Sequence, residues 1–416
     1  MKVRFVLPIV LMLGLMGVGL LFVPKVQAVP PVQALNNMEQ FGKALFFDAN
    51  LSINNNQSCA TCHSPEVGYT GAAEEINLHG GVYEGSIPGA YGDRKPPSAS
   101  YAGNSPILYY DEENEAWVGG MFWDGRATGW HLGDPLAEQA KGPFLNPKEQ
   151  AIPTAEALCE KVTAAPYASL YELVYGVPLD CSTPAAVTEA YNNFGRAIAA
   201  YERSLEVNPF SSPFDRFWDN AKNKGLDVAD ISMNNWSKYK RLGLDNDELR
   251  GLAMFNTQAK CSACHTLEEG SAGYPLFTDF TYDNLGMPKN PENPMTLSDP
   301  EWADPGLGGF LQSAGYDEEV YTVEMGKFKV PSLRNVALSS CDPNLVKAYG
   351  HNAYFKSLET IVHFYNTRDV KHWPAPEVAE NVNTSELGNL RLNKPQERWI
   401  VAFLKTLSDD TTCPQP

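Results

Sequence analysis

Two short stretches place a pair of thiols beside an imidazole. Gln57–Gly68 reads QSCATCHSPEVG, with Cys59, Cys62 and His63; Lys260–His265 reads KCSACH, with Cys261, Cys264 and His265. On one helical turn, residues i, i+3 and i+4 share a face. Two thiols can then bond the vinyl groups of a porphyrin while the imidazole meets its iron from the same side. A redox dithiol does not need the adjacent histidine, and zinc would want four ligands in one cluster. Two copies of Cys-x-x-Cys-His therefore point to two covalently attached c-type haems, tethered by Cys59, Cys62, Cys261 and Cys264, with His63 and His265 on the irons.

The N-terminus points to export. Lys2 and Arg4 precede an uncharged run, Phe5–Val23, and the small-residue site Val26-Gln27-Ala28 follows, which reads as a secretory signal over 1–28. The run is also long enough to span a bilayer, so an uncleaved membrane anchor is the second reading. No later apolar stretch approaches that length, and the rest is expected to be soluble, in the periplasm or otherwise exported. Cys159, Cys181, Cys341 and Cys413 form an even set, and the local pairings Cys159–Cys181 and Cys341–Cys413 are expected in an oxidising compartment. The 416 residues carry a net charge of −18. The signal holds three basic residues and no acid, so the remainder is more negative still. Nucleic acid is excluded as a partner, because phosphate binding needs clustered Lys and Arg. A solvated surface or a basic protein partner fits better.

The elements that must carry these motifs read as helices. Tyr191–Leu205 places Tyr191, Phe194, Ile198, Tyr201 and Leu205 at helical spacing, and the prolines of Asn208–Pro213 break it. Asp247–Phe255 reads as a helix feeding the second motif, and Tyr354–Asn366 and Lys394–Leu407 as two amphipathic helices. Strand signal is slight. The Gly/Pro-rich stretches Gly80–Pro106 and Tyr274–Pro305 are long for structureless loops, which suits segments that wrap a haem. The expectation is a mostly α protein of two tandem c-type cytochrome domains, each wrapping one covalently attached haem, with long loops. They would span 29–208 and 241–416, with a linker region at 209–240 and a C-terminal tail able to pack back on the first domain.

The stretches LFFDANLS…SCATCH, FWDGRA, EQAKGPFLNPKE, FKVPSLRNV and the later Cys-x-x-Cys-His occur in the order seen in the di-haem bacterial cytochrome c peroxidase and MauG family. The chain resembles that family from about Asn37 to Leu407. The resemblance implies a peroxidatic N-terminal haem at Cys59, Cys62 and His63. His79, sixteen residues after His63, matches the histidine that caps the peroxidatic iron in resting peroxidases. Gln139, Pro143 and Glu149 match the distal pocket, where a carboxylate can take a proton from peroxide and return it to the leaving oxygen. Trp123 matches the tryptophan that carries electrons between the haems. The link from Trp123 to Gln139 is longer than usual in the family, which points to an insertion around Gly129–Pro135.

Cys261, Cys264 and His265 match the electron-transfer haem. Its sixth ligand in the peroxidases is methionine; here the matching position, fourteen residues after His351, is Tyr365, as in the MauG members of the family. A methionine ligand suits a reducible relay. A phenolate favours ferric and higher states, because negative charge at the metal stabilises positive charge there. Met325, Met287 and His363 are the alternative ligands, with Tyr365 then a core residue. The family's inter-haem calcium site is altered: SSCDPNLVKAYGH replaces the usual stretch before His351, and Lys95 falls near the position of an upstream asparagine. Backbone carbonyls could still ligate calcium.

Three functions compete. The first is reduction of hydrogen peroxide to water at the N-terminal haem, with electrons relayed through the C-terminal haem and Trp123 from a small exported carrier, a cytochrome c or cupredoxin. The second is a MauG-like oxidase that uses high-valent haem to oxidise Trp or Tyr side chains of a partner protein. The third is a non-catalytic di-haem electron-transfer cytochrome, against which the pocket residues Gln139, Pro143 and Glu149 argue. His79 leans towards the first and Tyr365 towards the second. A homodimer is compatible with each.

Overall fold

The computed structural model describes residues 34–339, 342 and 344–410. The signal or anchor at 1–28 and the Cys341–Cys413 pairing lie outside the described residues. Helix α1 (Asn37–Phe47) opens on a capping box, in which the Asn36 side chain accepts from the backbone of Glu39 and the Glu39 carboxylate accepts from the backbone of Asn36. Its buried face is Phe41, Gly42, Leu45 and Phe46. Next come α2 (Cys59–Cys62), α3 (Pro135–Leu145), α4 (Pro184–Arg203) and α5 (Pro213–Asn223). The second half has α6 (Asn246–Asn256), α7 (Leu358–Thr367) and α8 (Lys394–Lys405) as its main helices. All four helices expected from periodicity are present, with ends shifted by a few residues.

Sheet is confined to two antiparallel pairs among the described residues. In β1 (Tyr109–Asp111) with β2 (Ala116–Val118), Tyr110 faces Trp117; in β3 (Tyr282–Asp283) with β4 (Phe328–Lys329), Tyr282 faces Lys329. Gly80–Pro106 carries no helix, as expected, whereas Tyr274–Pro305 contains β3 and a five-residue helix, Pro294–Ser298.

Two apolar cores organise the chain. One runs from Phe41 to Val207 through α1, α3 and α4; the other runs from Phe214 to Leu407 through α5, α6, α7 and α8. Part of the stretch read as a linker thus contributes Phe214, Phe217 and Trp218 to the second core. The two cores share a construction. In α1 the pattern Glu39-x-x-Gly42-x-Ala44-x-Phe46 recurs in α6 as Glu248-x-x-Gly251-x-Ala253-x-Phe255. A Cβ on Gly42 would stand 1.8 Å from the Ala197 carbonyl oxygen of α4, and one on Gly251 1.9 Å from that of Trp399 in α8. Each core is built on a helix crossing that only glycine permits. The predicted Cys159–Cys181 disulfide is formed, and the four motif cysteines are unpaired. Among the described residues no helix is long and apolar enough to cross a membrane.

Candidate active site

Each Cys-x-x-Cys-His turn opens on a cavity. The first cavity is lined by Cys59, Cys62 and His63, by apolar Phe46, Leu136 and Ile198, and by Gln139, Pro143 and Glu149. His63 Nδ1 lies 3.1 Å from the carbonyl oxygen of Tyr69, which commits that ring nitrogen and leaves Nε2 for a ligand bond. Tyr69 holds a left-handed backbone, φ 56°, to aim its carbonyl there. Burial lowers the His63 pKa, which keeps the imidazole neutral and able to ligate.

Gln139 and Pro143 share a face of α3, one turn apart. Pro143 has no N–H for the Gln139 carbonyl, so the helix is weakened where it borders the cavity. Glu149 arrives from the loop after α3. Its Oε2 accepts from Asn146 Nδ2 at 2.7 Å, and its backbone carbonyl accepts from Ser86 at 2.7 Å. Gly85 permits that strap, since a Cβ there would meet the Lys148 carbonyl oxygen at 2.5 Å. Burial raises the Glu149 pKa, against the Asn146 hydrogen bond and the Arg126 charge, which lower it. A carboxyl shifted this way suits a group that both accepts and returns a proton.

The second cavity is larger, with about 1530 Å³ free of protein atoms, its mouth included, against about 670 Å³ for the first. Cys261, Cys264, His265, Tyr365, Met287, Trp123 and His351 are on its wall. His265 Nδ1 lies 2.8 Å from the Phe277 carbonyl oxygen, and Phe277 repeats the left-handed backbone of Tyr69, φ 55°. In both halves a threonine follows, Thr70 or Thr278, and donates at 2.7 Å to a carbonyl of a Lys-x-Pro-Ser stretch, that of Pro96 or Val330. Burial pushes the Cys62, Cys261 and Cys264 thiols up to about 12, and Cys59 higher still. That is the opposite of a reactive dithiol, whose thiolate must be stabilised.

Between the cavities runs Met121-Phe122-Trp123. Met121 and Phe122 line the first cavity and Trp123 the second. Trp123 Nε1 donates to the Lys95 carbonyl at 2.8 Å, and its ring stands edge-on to His351 at 6.5 Å between centroids. His351 itself stacks on Phe328 and pairs with Glu377 at 3.0 Å.

Of the expected site residues, His79 is the one not brought to a cavity. Its side chain is 56% exposed and sits between Glu75 and Glu292, at 3.3 and 3.4 Å. The expectation places it over the first iron; in this arrangement the five-residue helix Glu74–Leu78 ends beside it and the side chain lies at the surface, away from the first cavity wall. Among the alternatives to Tyr365, His363 is engaged by Glu397 and Lys371 and, like Met325, is not on the second cavity wall, whereas Met287 is. Tyr365 is on α7, and no hydrogen bond from its hydroxyl is present among the described residues.

Sequence reasoning missed Asn146, which hydrogen-bonds Glu149 from outside the cavity wall, and three buried polar side chains of the first cavity, Gln57, Gln150 and Glu202. Among the described residues, the buried Gln57 Oε1, Gln150 Oε1 and Glu202 Oε2 have no hydrogen-bond partner. Such orphaned atoms require polar company from a bound group or water. The repeated Lys-x-Pro-Ser and the repeated pattern of α1 and α6 were the available signals for an internal duplication, which frames both sites alike.

The chain matches the di-haem cytochrome c peroxidase pattern over residues 36–223. It is 33% identical over 390 residues to the methylamine utilization protein MauG of Paracoccus denitrificans, covering 88% of this chain and 87% of that protein. The chain belongs to this di-haem peroxidase and MauG family. A cytochrome c551 peroxidase of Nitrosomonas europaea is 28% identical over 394 residues, covering 92% of this chain and 83% of the relative. The crystal structure of the di-haem peroxidase BthA of Burkholderia thailandensis superposes with a TM-score of 0.71 at 28% identity, over 91% of this chain and 87% of that one.

The protein is therefore a peroxidase-type oxidoreductase with two c-type haems, in a mostly α fold of two cytochrome domains. The two cavities fit that cofactor. Each offers two cysteines outside any disulfide, one buried imidazole and apolar walls, and the orphaned polar atoms of the first leave hydrogen bonds for a bound group to complete.

Proposed function

We propose that this protein reduces hydrogen peroxide to water at the first cavity, with electrons entering through the second. The observation that carries the reading is the arrival of Glu149 and Gln139 on the wall that also holds Cys59, Cys62 and His63. The haems, when bound, supply the electron transfer to peroxide. The chain's own part is binding and proton handling. Cys59, Cys62 and His63 would hold the first haem, and Cys261, Cys264 and His265 the second. Gln139 orients peroxide by its amide. Glu149 takes a proton from one peroxide oxygen and returns it to the departing one, while Asn146 holds the carboxylate in place. Two electrons and two protons enter, and two waters leave. Trp123, hydrogen-bonded to the Lys95 carbonyl, is the side chain between the two centres. The donor is a small exported electron carrier, a cytochrome c or cupredoxin, and the protein works in the periplasm or another exported compartment.

One observation favours a second reading, oxidation of Trp or Tyr side chains on a partner protein. Tyr365 stands on the second cavity wall, where a phenolate ligand would disfavour a reducible relay, and His79 is away from the first. The two readings separate in one experiment. The fully reduced protein is titrated with hydrogen peroxide, and wild type and Tyr365→Phe are compared by near-infrared magnetic circular dichroism. Oxidation of both haems by one equivalent of peroxide, with a His/Met band that survives the substitution, supports peroxide reduction. Absence of that band, with a second-haem spectrum altered by the substitution, supports protein oxidation. A second haem that stays reduced sinks the relay.

A further inference from the structure

The segment that fixes His63 is held by two buried ammonium groups. Lys347 is 8% exposed, and its Nζ donates to three backbone carbonyls: Val67 at 2.9 Å, Asn335 at 3.0 Å and Leu338 at 2.8 Å. Val67 belongs to the loop after His63, and the other two belong to the second half of the chain. An ammonium has three donors, so the three carbonyls satisfy it completely. Lys95, also 8% exposed, donates from Nζ to Thr70 Oγ1 at 2.7 Å and to the Pro96 carbonyl at 3.0 Å. Its backbone N–H donates to the His351 carbonyl at 2.8 Å, and its carbonyl accepts from Trp123.

Among the described residues neither ammonium has a carboxylate partner. Burial lowers both pKa values, Lys95 to about 8, and Lys95 lowers that of Lys347 further by its charge. That direction favours the uncharged amines; at Lys347 three carbonyl acceptors, which call for three N–H donors, oppose it and hold the charge. Backbone carbonyls gathered from separate loops are the ligand set of a hard metal cation. The spacing here is different: 2.8–3.0 Å is the length of an N–H···O bond, longer than the roughly 2.3–2.6 Å of a calcium–oxygen bond.

We propose that Lys347, assisted by Lys95, is a built-in cation between the two haem sites: it occupies the carbonyl cage that an inorganic ion would otherwise fill, and it positions the His63 loop. Both are positioning residues. Lys347 anchors Val67, two residues before the Tyr69 carbonyl that orients His63, and Lys95 anchors Thr70, the residue after it. Lys95 acts by its charge on His63, whose pKa it lowers, and Lys347 is coupled to Lys95, so both charges would bear on an iron held there. Those charges favour the less positive iron, so they raise its reduction potential. The inference rests on His63 being that haem's axial ligand.

The test uses the holoprotein. In wild type, neither chelator nor added calcium should change the melting temperature or the two haem potentials. Lys347→Met should shift the first haem's potential negative by more than it shifts the second's, and should alter the His63-dependent EPR signal; Lys95→Met should do the same more weakly. Calcium supplied throughout preparation of Lys347→Ser should restore part of the lost thermal stability by entering the vacated cage. Should Lys347→Met fail to fold, Lys95→Met and Thr70→Val carry the test. A wild type that loses stability on chelation overturns the proposal, as does a lysine variant that melts earlier with both potentials and the EPR signal unchanged. A His63→Ala control separates the two ideas. If its first-haem spectrum equals wild type, the ligand assignment fails; if that spectrum changes while the lysine variants leave it untouched, only the built-in cation fails.

Discussion

The two haem cavities differ in what their polar groups are doing. In the second, the carboxylates are engaged by protein: Glu377 by His351 and Asn352, and Asp283 and Glu386 by Asn383. In the first, Gln57, Gln150 and Glu202 each leave a buried oxygen without a partner. The two frames are nearly the same, from the glycine crossing to the left-handed residue that aims a carbonyl at the histidine. The unmet polar capacity is therefore what separates them. A site prepared for water and peroxide must leave hydrogen bonds unmade until those molecules arrive, and each unmade bond costs about 1–3 kcal/mol. A site that only stores and passes electrons has no such need.

Substitutions can break this contrast, and the largest effect is expected at Glu149. Glu149→Gln keeps the size and removes the base, so steady-state peroxide reduction should fall at least about 100-fold with haem content unchanged. A loss under threefold would remove Glu149 from proton handling. Asn146→Ala should cost about tenfold, because it frees the carboxylate it orients. The Asn146 hydrogen bond lowers the Glu149 pKa, so its removal should also move the acid limb of the pH–rate profile to higher pH. A limb that moves down, or stays, contradicts the assignment.

Glu202 gives a stability readout of the same contrast. Burial raises its carboxyl from 4.5 to about 8. Between those values the folded chain holds a proton that the unfolded chain has lost, so stability declines as pH rises towards about 8. Glu202→Gln should flatten that decline in melting curves taken across the range. Parallel curves for variant and wild type would show that Glu202 is not held protonated. The smallest effect is expected at His79, whose side chain is exposed and pairs, among the described residues, with Glu75 and Glu292. His79→Ala should leave the resting first-haem spectrum unchanged and peroxide turnover within about twofold. A new high-spin signal in the variant would restore His79 as a ligand.

Much of this was legible in residue order. Cys-x-x-Cys-His names its cofactor because the chemistry of attachment is local: five residues on one turn suffice. The amphipathic helices were legible because periodicity is local too, and the local Cys159–Cys181 pairing formed as expected. The duplication was written in the chain as Glu-x-x-Gly-x-Ala-x-Phe and Lys-x-Pro-Ser, but its meaning depends on contacts more than a hundred residues apart, Gly42 on Ala197 and Gly251 on Trp399. Residue order likewise could not tell that His79 faces solvent, that Asn146 holds Glu149, or that Gln57 and Glu202 meet in one cavity.

The sequence by itself determined the cofactor, the family and the helical class, because each depends on covalent attachment or short-range pattern. Only the tertiary structure decided which polar atoms are left unpaired, and where two lysines go to ground between the haem sites. Burial and hydrogen-bond satisfaction are properties of the whole packed chain. A lysine at position 347 reads as a surface charge until Val67, Asn335 and Leu338 are brought around it.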